Sequence, residues 1–152
     1  MRRRHVSVTA KTSASPATVF RLLADGASWT QWSPIERVEL ERAGDPPPEG
    51  VGAIRVLHRG RTTGRDEILE LVPDRRFAYA TLSGVPVRDY VGEVDLETDP
   101  DGSTIIRWHS SFFPKIPGTG WLLDRGLTRF LEGCARGLAD YSTSEERPTS
   151  IV

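Results

Sequence analysis

Residues 119–141 read TGWLLDRGLTRFLEGCARGLADY. Leu123, Leu127, Phe130, Cys134, Leu138 and Tyr141 step along this stretch by three or four, so they share one face of a helix. Asp124, Arg125, Arg129, Glu132, Arg136 and Asp140 fill the other positions, and Glu132 and Arg136 are spaced to pair across one turn. This is the longest helix the sequence predicts. Its single apolar stripe must lie against a partner of comparable length, and the upstream chain supplies one.

Upstream the hydrophobic period falls from 3.6 to two. In 5–12, Val6, Val8 and Ala10 alternate with Ser7, Thr9 and Lys11, the pattern of a half-buried strand. Further extended runs follow at about 36–42, 51–59, 64–72, 76–83, 87–97 and 103–113. Between them lie a Pro-rich loop at 44–50 and turn sequences: Arg59-Gly60, Pro73-Asp74, Gly84-Val85-Pro86 and Asp99-Pro100-Asp101-Gly102. Connections this short imply an antiparallel meander. After the first strand, Ser15-Pro16 is a helix start, with Ser as N-cap and Pro at the first helical position. Two short helices are expected, 16–24 and about 27–32; Trp29 and Trp32 share a face of the second, and Pro34 ends it.

These elements predict an α+β fold: a seven-stranded antiparallel sheet curved around the C-terminal helix, with two short helices after the first strand. The expectation is one domain over 1–152, an ordered core over 5–141 and a frayed polar tail from Ser142. A gap between sheet and helix is where a ligand cavity can open.

Composition narrows the function. A chain of 152 residues that is 38% hydrophobic suits one globular domain. A net charge of −1 provides no basic field, so nucleic acid is not an expected partner. The lone cysteine, Cys134, cannot form an internal disulfide, and it falls on the apolar stripe as an inert thiol. The basic start, Met1 to Arg4, leads into a polar alternation rather than a signal-peptide core. No window is long and apolar enough for stable membrane insertion, and a cytoplasmic location is expected. There is no Gly-rich phosphate loop, no H-E-x-x-H and no Cys-x-x-Cys, so no metal and no cofactor is expected.

Strand parity selects the side chains that face the interior. On 103–113 the apolar set Ile106, Trp108, Ser110 and Phe112 points inward, leaving Arg107 and His109 outside. On 87–97, Tyr90, Gly92, Val94 and Leu96 oppose Glu93 and Asp95. On 51–59, Ile54, Val56 and His58 oppose Arg55 and Arg59, which directs His58 inward. On 76–83, Tyr79 shares a face with Phe77 and Thr81, and that face is assigned inward. On 64–72, Glu67 and Glu70 lie on opposite faces; Glu67 is assigned inward, although a bulge would exchange them. The interior ligand set is then Val56, His58, Glu67, Tyr79, Tyr90, Trp108 and Phe112, roofed by Leu123, Leu127 and Phe130.

The order of elements, with the stretches SVTAKTSASPATVFRLLAD, WTQWSP, EILELVPDRRFAY, DYVGEVDLETDPDGSTIIRW and FFPKIPGTG, resembles the START-like superfamily known as SRPBCC. It is most similar to the polyketide cyclase/dehydrase and lipid-transport branch. The likeness runs from about His5 to Tyr141. It implies the Bet-v-1-like helix-grip fold around a hydrophobic cavity, with the two short helices closing one end. Trp29 and Trp32 would then stand at the cavity rim, the alternative being that they plug the end of the core; Trp32 is taken into the ligand set. Members of the superfamily include aromatase/cyclases, lipid carriers, hormone receptors and co-chaperones, so the likeness does not fix a reaction. The leading expectation is a binder of a small hydrophobic molecule, lipid-like or polyketide-like. The alternative is an aromatase/cyclase-like enzyme in which His58, Tyr79 and Tyr90 serve as acid-base groups.

Overall fold

The alternation at the N-terminus forms β1 (Arg4–Thr12), with Val6 and Val8 buried and Ser7 and Thr9 exposed. The structure, a computed structural model, describes residues 2–146. Ser15 caps α1 (Pro16–Ala24): its hydroxyl oxygen accepts the Thr18 N–H at 3.3 Å, and Pro16 begins the first turn, where its missing N–H costs nothing. A 3-10 turn (Gly26–Ser28) and the single-turn α2 (Trp29–Trp32) follow, closed by the Ser33 N–H on the Trp29 carbonyl. Six strands come next: β2 (Arg37–Arg42), β3 (Ile54–Arg59), β4 (Thr62–Val72), β5 (Arg76–Ser83), β6 (Val87–Thr98) and β7 (Thr104–Pro114). The long α3 (Gly120–Glu146) completes the chain of elements.

The strands form one seven-stranded sheet in the order β1-β7-β6-β5-β4-β3-β2, antiparallel throughout. Only the β1–β7 pairing joins strands distant in sequence, and it brings the N-terminal strand beside the last. The helix α3 packs on β1 and β7 and is met by α1 and α2 at the closed end. Between sheet and helix lie Trp108, Phe77, Phe112, Leu23, Ile68, Ile106, Leu131 and Leu138, all fully buried.

The helix runs past the frayed tail expected from Ser142. Ser142 is fully buried and donates to the Leu138 carbonyl at 2.6 Å. The Thr143 hydroxyl meets that of Thr12 at 2.8 Å, and the Glu146 carboxylate accepts the Ser15 N–H. The end of β1 and the start of α1 thus hold 142–146 with polar contacts that an apolar-periodicity argument does not register. The remainder of that expected tail, 147–152, lies outside the described residues.

Alternation sets the inward face of β6 and β7 as expected: Tyr90, Gly92, Val94 and Leu96 are buried, as are Ile106, Trp108, Ser110 and Phe112. On β3 the expectation is reversed. Arg55, Leu57 and Arg59 face the helix, while Val56 and His58 face outward with Arg65 and Thr63 of β4 beside them. The cause is the burial of Arg55, only 2% exposed. Its Nε donates to Glu49 at 2.8 Å, and its Nη1 and Nη2 donate to the carbonyls of Leu23 and Ala24 at 3.1 and 2.7 Å. Those carbonyls end α1, where the helix dipole favours a cation. A charge so fully satisfied is stable inside, and β3 takes the register that puts it there.

Candidate functional site

A cavity of about 290 Å³ opens between the concave face of the sheet and the first turns of α3. Its construction begins at Gly92. Gly92 lies directly across from Tyr79 in the β5–β6 ladder, and a Cβ there would overlap the Tyr79 ring. The bare backbone therefore lets that ring lie over β6. The Tyr79 hydroxyl accepts the Trp108 indole N–H at 3.1 Å, which fixes both side chains. Trp29 meets Trp108 edge-on at 5.7 Å between ring centroids, and Tyr79 and Tyr90 are 6.3 Å apart. These rings make the floor and back wall. Leu123, Leu127 and Phe130 of α3 make the roof. The mouth is bordered by Val85 from the β5–β6 turn, by Leu122, which is 57% exposed, and by Arg59, whose guanidinium sits 5.0 Å above the Phe130 ring.

One carboxylic acid interrupts this apolar lining. Asp66 on β4 is buried and accepts a hydrogen bond from the Thr81 hydroxyl at 2.8 Å. Burial pushes its pKa up from 3.8 to about 6; the Thr81 bond and the nearby Arg55 charge pull the other way and do not offset it. Arg55 is the cross-strand neighbour of Asp66, yet its donors go to Glu49 and the end of α1. Burial also raises the Tyr90 phenol to about 12 and the Tyr79 phenol well above its ordinary value, so both stay protonated at neutral pH. The Cys134 thiol, buried on α3, is pushed up to about 12 and is inert.

Of the residues expected from the sequence, Tyr79, Tyr90, Trp108, Leu123, Leu127 and Phe130 are brought together around this cavity. Phe112 lies one layer back, fully buried and stacked on Tyr90 at 6.0 Å. The two tryptophans divide between the cavity and the core, and the place of Trp32 in the ligand set is corrected. Trp29 stands in the cavity wall, while Trp32 is buried behind it at 4.7 Å, its indole N–H on the Ser28 hydroxyl. Val56, His58 and Glu67 lie on the outer face of the sheet, so their expected place in the cavity is corrected. His58 Nε2 is 3.0 Å from Glu39 and 3.3 Å from Arg37; Glu67 is 3.3 Å from Arg42.

Glu67 was misplaced because β4 carries register shifts at Arg65/Asp66 and at Ile68/Glu70. The second puts Ile68 opposite Tyr79 but Glu70 opposite Ala78, so both glutamates end outside. Asp66 was missed for the same reason, Leu57 and Arg59 because the faces of β3 are reversed, while Thr81 lies on the face assigned inward with Tyr79. The available signal was a pairing of opposite charges, Arg55 with Asp66, that only the inverted register of β3 buries together.

Among the described residues, the grouping of acidic and histidine side chains close enough for a metal is Glu93, Asp95 and His109, on the solvent face. Arg76 already occupies its carboxylates, 2.7 Å from Asp95 and 3.1 Å from Glu93, and His109 is 2.7 Å from Asp95. It is an ion-pair network away from the cavity. No helix of the described residues is long and apolar enough to cross a membrane.

A family model described as polyketide cyclase/dehydrase and lipid transport matches residues 3–143. Among solved structures, the Zhui aromatase/cyclase from Streptomyces sp. R1128 superposes with a TM-score of 0.81 at 22% identity, over 99% of this chain and all of that one (100%). A START superfamily protein from Mycobacterium smegmatis gives 0.79 at 15% identity, over 93% of this chain and 98% of the other. The protein Ara h 8.0201 gives 0.75 at 15% identity, over 94% and 99%. At these identities the likenesses establish the helix-grip fold. A comparison with curated proteins finds no match.

Proposed function

The chain belongs to the polyketide cyclase/dehydrase and lipid transport family of the START-like superfamily, and on that premise we propose that it binds one small hydrophobic molecule in the cavity beneath α3. The observation that carries this reading is the aromatic wall of Trp29, Tyr79, Tyr90 and Trp108 around open volume in an otherwise close-packed interior. Some 290 Å³ sits at the low end of the ~300–1,000 Å³ usual for small-molecule sites. That size favours a fused-ring aromatic or a short acyl chain over an intact phospholipid. Access runs past Val85 and Leu122, whose exposed apolar surface is continuous with the interior. Native mass spectrometry of protein taken from cells without extraction, paired with thermal shift against fused-ring aromatics, tests the reading. A stoichiometric adduct or a raised Tm supports it; a protein that carries nothing and responds to no aromatic ligand contradicts it.

Asp66 favours a second reading, catalysis of the aromatase/cyclase type. A buried carboxyl with a pKa of about 6 is mostly ionised at neutral pH yet far more basic than an ordinary carboxylate, and so is suited to take a proton from an activated carbon. The Tyr90 hydroxyl, protonated and in the same cavity, would donate to the oxygen on which charge develops. In an aldol closure, Asp66 removes a proton from the carbon between two carbonyls. The new C–C bond forms, the alkoxide takes a proton, and loss of one water gives the aromatic ring. His58 takes no part, since it lies on the other face. Turnover of a surrogate poly-β-ketone that falls about 10²–10⁴-fold in Asp66→Asn would establish this reading. Absence of turnover in the wild-type chain, with ligand binding intact, would leave the binder alone.

A further inference from the structure

The cavity's polar groups are not evenly matched. Asp66 is the one carboxylate among the described residues of the lining, and its recorded side-chain partner is the Thr81 hydroxyl on Oδ1. A carboxylate offers about four acceptor positions. The donors that could fill them are committed elsewhere: the Arg55 guanidinium to Glu49, Leu23 and Ala24, and the Trp108 indole to Tyr79. Trp29, Tyr79 and Tyr90 line the same cavity as Asp66. The hydroxyls of Tyr79 and Tyr90 also line the cavity, but neither donates to Asp66, so its second oxygen has no donor from the described residues. Arg59, the one cation in the lining, stands at the mouth over Phe130.

We propose that the cavity selects ligands whose apolar, ring-sized body carries a hydrogen-bond donor, a phenolic hydroxyl or a protonated amine, and that this donor sits on the carboxylate of Asp66. An acceptor-only or anionic group at the same depth would leave Asp66 without a partner and add electrostatic repulsion in a low-dielectric site. An acidic end would instead have to stay at the mouth, beside Arg59. This assignment rests on the cavity-binding reading and adds to it the chemical class of the ligand.

Calorimetric titration of the full chain at pH 7.5 with four probes of one shape provides the test: naphthalene, 2-naphthol, protonated 2-naphthylmethylamine and 2-naphthoate. The naphthol and the ammonium probe are expected to bind about tenfold or more tightly than naphthalene, with naphthoate weakest, as a charge-assisted hydrogen bond in a buried site requires. Asp66→Leu should level the ranking while naphthalene binding persists. Asp66→Asn keeps the shape and an acceptor for Thr81, and it covers the case in which the leucine variant does not fold. It should remove the ammonium's advantage and narrow the gap to naphthoate. Naphthoate binding as well as naphthol to the wild-type chain, or a ranking unchanged in Asp66→Asn, overturns the proposal while leaving the cavity reading intact. A wild-type chain that binds none of the four overturns both.

Discussion

The β6–β7 side of the sheet and the β3–β4 side are built from the same antiparallel ladder, yet they place their side chains by different rules. From Tyr90 to Leu96 and from Ile106 to Phe112 apolar alternation is unbroken, the one register shift of this pair lying before it, between Arg88 and Val91, and each inward position is a hydrophobic group, a small residue or a tyrosine. On β3 and β4 the inward positions include Arg55 and Asp66, and β4 shifts register twice in its pairing with β5. The first region follows from burying apolar area. The second follows from satisfying a buried guanidinium, and the polar chemistry of the cavity arises as a consequence. Tyr90 and Trp108 of the cavity wall thus come from one half of the sheet and Asp66 from the other.

Substitutions on each side separate the two rules, and the largest effect belongs to the apolar half. Trp108 is 1% exposed, packs against Trp29 and Trp32 and donates to Tyr79. Trp108→Ala should cost about 3–5 kcal/mol in chemical denaturation. A loss near 1 kcal/mol would mean that the ring borders empty space rather than core.

On the polar half, Arg55→Met should cost about 3 kcal/mol, because it leaves the Glu49 carboxylate without its cation, with the Gly26 N–H as its remaining donor, and takes a donor from the Leu23 and Ala24 carbonyls. Adding Glu49→Gln should recover part of that loss. A single variant as stable as the wild type would show that the inverted register of β3 does not depend on this charge.

Asp66 gives an effect of opposite sign. Its folded-state pKa lies above its unfolded value, so the folded protein binds the extra proton, and stability falls as pH rises from about 4 to about 6. Ionising a carboxyl whose pKa has moved from 3.8 to about 6 costs up to about 3 kcal/mol. Asp66→Asn should therefore be more stable than the wild type at pH 7.5 and should lose that pH dependence. Denaturation midpoints at pH 4 and pH 7.5 read it directly, and an asparagine variant destabilised at both would contradict the burial argument.

The smallest effect is expected at His58. It is partly exposed on the outer face with Glu39 and Arg37. His58→Ala should stay within about 0.5 kcal/mol and leave ligand affinity unchanged. A loss of binding in this variant would restore the inward register that alternation alone predicts.

The element order, the single sheet and the gripping helix were legible in the sequence because each rests on a period: two for the strands, 3.6 for residues 119–141. Trp108, Tyr90, Tyr79 and the α3 roof were legible for the same reason. Alternation directs His58 inward because it shares a face with Ile54 and Val56, opposite Arg55 and Arg59. That inference fails where an arginine meets a helix end and a glutamate brought by the 44–50 loop, partners that no local pattern announces. The bulges of β4 hid Asp66 in the same way, since one inserted residue moves every later side chain to the other face. Which of Trp29 and Trp32 lines the cavity turns on which indole reaches the Leu23 carbonyl and which the Ser28 hydroxyl, a detail below the resolution of i, i+3 spacing.

The central claim is that the open volume beneath α3 is a ligand site oriented by Asp66. A crystal structure of the protein grown with 2-naphthol tests it most directly. The account predicts density for the ring system between Trp29, Trp108 and Tyr90 on one side and Leu123 and Leu127 on the other, with its hydroxyl within hydrogen-bond distance of Asp66 Oδ2. Density confined to the outer face of the sheet, or a cavity closed by inward collapse of the Phe130 and Leu127 side chains, would contradict it.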